Sequence, residues 1–149
     1  MARSPTPLTS PTPIVEESMI EVRYAETDAQ GVVHHSNYIV WFEVARTSLC
    51  RQSGYPYADI EAMGFNLVVT GTRTRHRNGA VYGDTVRVQC TLSQFKSRGL
   101  VFDYKVFRDD ELLATGETEH IWVSRETGRP CRVPKPLEDA FRRVAGLEA

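Results

Sequence analysis

Cysteine is scarce in this sequence, and what there is does not pair: Cys50, Cys90 and Cys131 are widely spaced, odd in number and free of any C-x-x-C. That excludes a disulfide framework and a clustered-cysteine metal site. It fits a reducing compartment, so a cytoplasmic location is expected. No apolar run is long enough to cross a bilayer, and the first residues lack the apolar core of a signal peptide. Neither charge predominates, since 18 Lys and Arg against 19 Asp and Glu leave a formal net charge of -1. No global basic field therefore draws nucleic acid or anionic lipid, and any anionic ligand must be met by local groups. A G-x-S-x-G elbow, an H-E-x-x-H pair, a Walker loop and a dinucleotide glycine fingerprint are also missing. Their absence removes the commonest motif-bearing enzyme classes.

What is present is the balance of one globular domain, 41% hydrophobic and 25% charged over 149 residues. Residues 1–16 hold four of the eight prolines among Ser and Thr, the composition of an extended tail. The expected division is a disordered Pro-rich tail at 1–17 and a single domain at 18–149. In residues 19–25, Ile20, Val22 and Tyr24 alternate with Glu21 and Arg23, the period of a half-buried strand. Ser36 or Asn37 then caps a helix on which Tyr38, Trp41, Phe42, Ala45 and Leu49 recur at intervals of three and four until Gly54. Ile39, Val40 and Val44 lie off that stripe, so the helix is expected to be largely enclosed.

A helical turn is expected over 58–63, strands over 66–77, 84–95, 98–108 and 111–124, and a closing helix over 137–144 after Pro136. One strand, a central helix and four long strands imply an α+β chain. Its five-stranded antiparallel sheet wraps a single apolar helix, the hotdog arrangement. Such a sheet leaves an open edge that two copies can close by pairing, so a homodimer or homotetramer is expected.

The richest polar cluster runs from Tyr24 to Tyr38. A turn, Glu26-Thr27-Asp28-Ala29-Gln30-Gly31, leaves the first strand and enters the helix through Val32, Val33, His34 and His35. This brings a carboxylate to a helix start, where amides lack intrahelical partners and the dipole adds positive potential. Asp28 can activate water or attack a carbonyl, while the amides near His34 and His35 hold the oxyanion that develops. Each residue also has a plainer reading. Asp28 can close an Asx turn, His35 can be a hydrogen-bonded imidazole beside the helix, and Tyr24 can pack in the core. A metal would need His76 or His120 to converge with a carboxylate on the His34-His35 pair.

Tyr24, Asp28, Gly31, Val32-Val33, His35 and Tyr38 match in order the motif of the 4-hydroxybenzoyl-CoA thioesterase family of hotdog proteins. Over about residues 19–134 the chain resembles most its small bacterial acyl-CoA thioesterases associated with the Tol-Pal gene cluster. The resemblance implies hydrolysis of a short-chain or aromatic acyl-CoA, with Asp28 as the essential carboxylate and the amide near His35 polarising the thioester carbonyl. It adds Tyr24 and the His35 side chain to the site, and implies no metal or organic cofactor. A departure is His34, where the family often has an aromatic residue.

Arg73, Arg75 and Arg77 alternate on one strand and so share a face, while Lys96 and Arg98 flank a turn; as a group they can bind the phosphates of coenzyme A. The resemblance also implies that Tyr38 and its helix line the tunnel for the pantetheine arm and acyl group. Two other readings stay open: a noncatalytic acyl-CoA or acyl-carrier-binding module, and a hotdog enoyl-CoA hydratase acting through an Asp/His pair.

Overall fold

Alternating apolar residues set the five strands of the computed structural model, which describes residues 12–96 and 98–147. They are β1 (Val15–Glu21), β2 (Phe65–His76), β3 (Thr85–Phe95), β4 (Gly99–Arg108) and β5 (Glu111–Ser124). All neighbours are antiparallel, in the order β1-β3-β4-β5-β2. Three helices complete the chain: α1 (Ser36–Gln52), α2 (Tyr57–Ala62) and α3 (Lys135–Val144).

The sheet's inner face is built from Val86, Val88, Cys90 and Leu92 of β3, Phe102, Tyr104 and Val106 of β4, and Ala114, Thr118, His120 and Trp122 of β5, all buried. Helix α1 lies on this face with Tyr38, Trp41, Phe42, Ala45 and Leu49 buried, the five residues of the expected stripe. Phe42 stacks on Tyr104 with ring centroids 4.2 Å apart. Removing each such aromatic side chain from water contributes about 1.5–3 kcal/mol. Gly54, at φ 89, ends the helix in a conformation that L side chains avoid. Helix α3 closes one end of the sheet with Leu137, Phe141 and Val144, Phe141 meeting the Trp122 ring edge-on at 5.4 Å.

Four details depart from the sequence reading. Strand β1 begins at Val15, inside the segment assigned to the tail, because it pairs with β3 from Val15↔Thr91 onward; residues 1–11 lie outside the described chain. The alternation does not carry Tyr24 inward. The strand ends at Glu21, a 3-10 turn occupies Tyr24–Glu26, and Tyr24 is 75% exposed against Tyr82. Helix α1 is not enclosed, since Val40 and Val44 stand about half exposed on the side the sheet does not reach. It starts at Ser36 with His35 as the preceding residue, so neither Ser36 nor Asn37 is the cap.

Candidate active site

The turn between β1 and α1 is fixed by its own backbone. The Asp28 amide donates to the Val32 carbonyl at 2.9 Å and the Gly31 amide to the Asp28 carbonyl at 2.9 Å, while Thr27 bridges to Val33. Gly31 takes φ 85 to make this return. Asp28 closes an Asx turn, its Oδ1 accepting from the Gln30 amide at 2.9 Å. Among the described residues its Oδ2 accepts from nothing, and the half-buried side chain borders a cavity of about 280 Å³. That cavity is also lined by His35, Tyr38, His76 and Arg77.

The amides at the start of α1 are almost all engaged. His34 donates to the Glu26 carbonyl at 2.8 Å, Ser36 to the His34 Nδ1 at 3.2 Å, Asn37 to the His34 carbonyl at 3.0 Å and Tyr38 to the His35 carbonyl at 3.2 Å. The His35 amide has no acceptor among the described residues. Of the two amides expected to form an oxyanion hole, the His34 N–H is therefore already used, and the His35 N–H is free. The rings of His34 and His35 lie 4.1 Å apart, but the His34 ring turns to the Ser36 hydroxyl and amide.

Glu26 is the residue sequence reasoning missed. It is 4% exposed, and its carboxylate accepts from the Arg23 amide at 2.8 Å and from Trp41 Nε1 at 3.1 Å. Burial works to raise its pKa. The Arg23 amide, the Trp41 donor and the Arg23 charge outweigh it and hold the group below the ordinary value. Its carbonyl takes the His34 amide and the Asn37 side chain, so one residue ties the turn to α1 from both ends. Tyr38 is 2% exposed, accepts from the Ala80 amide at 3.4 Å, and meets His76 edge-on at 4.7 Å. Burial raises the Tyr38 pKa; burial and the nearby His35 charge lower that of His76.

The basic residues expected to bind phosphate do not converge on this cavity within one chain. Arg73 and Arg75 lie on the sheet face turned away from α1, beside Lys105 and Asp103, and Arg73 pairs with Glu117 at 3.7 Å. Lys96 and Arg98 border a separate depression with Thr70 and Glu119. Arg77 parts from Arg73 and Arg75: it follows β2, donates its amide to the Leu113 carbonyl and borders the Asp28 cavity. Tyr24 does not line it. Among the described residues no three His, Cys, Asp or Glu side chains gather as metal ligands, so His76 and His120 do not join the His34-His35 pair.

The family model of the thioesterase-like superfamily matches residues 22–141, which take in the turn, the helix and four of the strands. The chain belongs to this superfamily. Thioesterase-like relatives support the same frame along nearly their whole lengths. YneP of Bacillus subtilis is 34% identical over 126 residues, 84% of this chain and 91% of its own. YbgC of Escherichia coli, an acyl-CoA thioester hydrolase, is 26% identical over 124 residues, 83% of this chain and 92% of its own. The crystal structure of a DHNA-CoA thioesterase from Staphylococcus aureus superposes with a TM-score of 0.83 at 34% identity, covering 87% of this chain and 90% of that one. The five-stranded antiparallel sheet around α1 is the hotdog fold of these thioesterase-like proteins.

Proposed function

We propose that the chain hydrolyses acyl-CoA thioesters, with Asp28 activating the attack and the His35 amide holding the oxyanion. The observation that carries this reading is that the Asp28 carboxylate and His35, whose N–H has no acceptor among the described residues, border the same cavity. In the general-base form, Asp28 takes a proton from water as the hydroxyl oxygen adds to the thioester carbon. The carbonyl oxygen becomes an anion facing the His35 N–H, and collapse expels coenzyme A, whose sulfur receives the proton. In the nucleophilic form Asp28 itself adds and a mixed anhydride is hydrolysed afterwards. The His35 side chain and Tyr38 shape the same cavity and orient the thioester. The reaction as written needs no metal or organic cofactor.

The Tyr24 to Tyr38 motif supports a place close to the 4-hydroxybenzoyl-CoA thioesterases and their Tol-Pal-associated branch. The Staphylococcus aureus relative, a DHNA-CoA thioesterase, supports an aromatic acyl group. We further propose that copies pair through β2. It is an edge strand with Val68 and Val69 about 40% exposed, and pairing would supply its missing hydrogen-bond partners.

The test is release of free thiol from a panel of short-chain and aromatic acyl-CoAs by the wild-type protein and Asp28→Asn. Wild-type turnover that falls at least about a hundredfold in the variant supports the reading. Equal rates would overturn it. Tight binding without turnover would indicate the acyl-binding module, and loss of enoyl absorbance without thiol the hydratase.

A further inference from the structure

His35, in helical backbone just before α1, and Arg46, eleven residues on, are three helical turns apart, so they lie on one side about 16 Å apart along the axis. An arginine leans back toward the helix N-terminus, which shortens the separation to roughly 10 Å at the guanidinium. On the facing strand, His76 of the Asp28 cavity and Thr74 lie on one face, two positions apart. Farther along α1 a second cavity of about 240 Å³ is lined by Arg46, Tyr57 and Leu67.

Single polar atoms on the inner side of the sheet and of α1 lack partners. Arg46 Nη1, Thr74 Oγ1 and His120 Nδ1 are buried without a hydrogen-bond partner, and His120 is 3% exposed. The His120 Nε2 is bonded to Thr118 Oγ1 at 2.8 Å, which also meets the Tyr104 hydroxyl at 2.7 Å. Arg46 approaches both Tyr104 and His120. None of the ion pairs among the described residues includes Arg46, although Glu43 borders the same cavity. A sheltered guanidinium without a counter-ion is costly until an anion with two acceptor oxygens reaches it.

We infer that Arg46 binds a carboxylate carried at the far end of the acyl group, so that the preferred substrates are CoA esters of dicarboxylic acids. This rests on the proposed hydrolysis of acyl-CoA. A carboxylate can take the Arg46 Nη1 that the Tyr104 hydroxyl leaves free and the free His120 nitrogen, whereas a methyl end leaves both unpaired.

The experiment compares kcat/KM for pairs matched in size, adipoyl-CoA against hexanoyl-CoA and 4-carboxybenzoyl-CoA against benzoyl-CoA, in wild type, Arg46→Met and Arg46→Lys. 4-Hydroxybenzoyl-CoA is the neutral polar control. The wild type is expected to favour the carboxylate-ended member of at least one pair about tenfold or more. Arg46→Met brings that ratio to one or below, and Arg46→Lys keeps part of it. A wild type that favours the methyl or unsubstituted member of both pairs, or treats them alike, overturns the inference. So does an unchanged ratio in Arg46→Met, or equal preference for the hydroxyl. If Arg46→Met does not fold, the wild-type ratio and Arg46→Lys decide. If no acyl-CoA is cleaved, the hydrolase reading fails separately, and calorimetric binding of the same pairs decides the inference on Arg46: a carboxylate preference lost on substitution upholds it, and none overturns it.

Discussion

The Trp41 indole donates to the buried Glu26 carboxylate at 3.1 Å and so locks the turn that carries Asp28 to the second turn of α1. Replacing Trp41 with Phe keeps an aromatic ring but leaves the sheltered Glu26 Oε2 with only the long Arg23 guanidinium contact at 3.5 Å. The expected cost is about 1–3 kcal/mol, read from chemical denaturation. Turnover should fall more than stability alone requires, because the Asp28 turn loses its anchor. Glu26 also has a pH signature. Its pKa is lowered on folding, so its stabilising contribution is complete above the ordinary 4.5 and fades as pH drops through the lower folded value. Glu26→Gln should remove that part of the acid sensitivity.

Gly116 sits beneath Phe42, and a Cβ there would run into the Phe42 ring and come within 3.2 Å of the Arg73 carbonyl. The ring has little room to yield, since it is wholly buried and stacked on Tyr104. Gly116→Ala is expected to destabilise the domain by about 1–3 kcal/mol. A melting temperature equal to wild type would show that α1 can lift from the sheet at no cost.

Tyr24 belongs to the motif but stands in water against Tyr82, away from the Asp28 cavity. Tyr24→Phe should therefore leave thiol release within about twofold of wild type, since a solvent-exposed hydroxyl outside the cavity has no transition-state contact to lose. A drop of a hundredfold in purified protein would place the hydroxyl at the reaction after all, supplied across a subunit contact.

Much of the frame was legible because it depends on local periodicity. The five buried residues of α1 repeat every three or four positions, and β3 alternates without interruption from Val86 to Leu92. What escaped depends on contacts distant in sequence or on a change of phase. Glu26 meets Trp41 across fifteen positions, which no window around the Asp28 turn displays. On β2 the alternation correctly put Arg73 and Arg75 on a common face but not on which one. The register slips between Val69 and Gly71, so odd positions that point inward before the bulge point outward after it. The fate of the helix-start amides was equally hidden, because it depends on whether the Glu26 carbonyl and the His34 ring reach them first.

His120 adds a second pH effect, separable from that of Glu26. Burial, reinforced by the Arg46 charge, lowers its pKa from 6.5 to about 4, so the folded protein keeps the ring neutral where the unfolded chain has already taken up a proton. The sign follows from proton uptake by the unfolded state. Stability from this residue is complete above 6.5 and is lost progressively as pH falls toward 4, by on the order of 3 kcal/mol for a gap of that size. Carboxylates titrate near the lower end of the same range, so the informative quantity is the difference between wild type and His120→Gln, measured by urea denaturation at several pH values from 7 to 4. The variant should lose stability at pH 7, where the Thr118 contact is disturbed, and the gap to wild type should narrow as the solution is acidified. Curves that stay parallel from pH 7 to 4 would mean that the ring takes up its proton in the folded state as readily as in the unfolded one. That would require an acceptor for His120 Nδ1 beneath α1, beside Arg46.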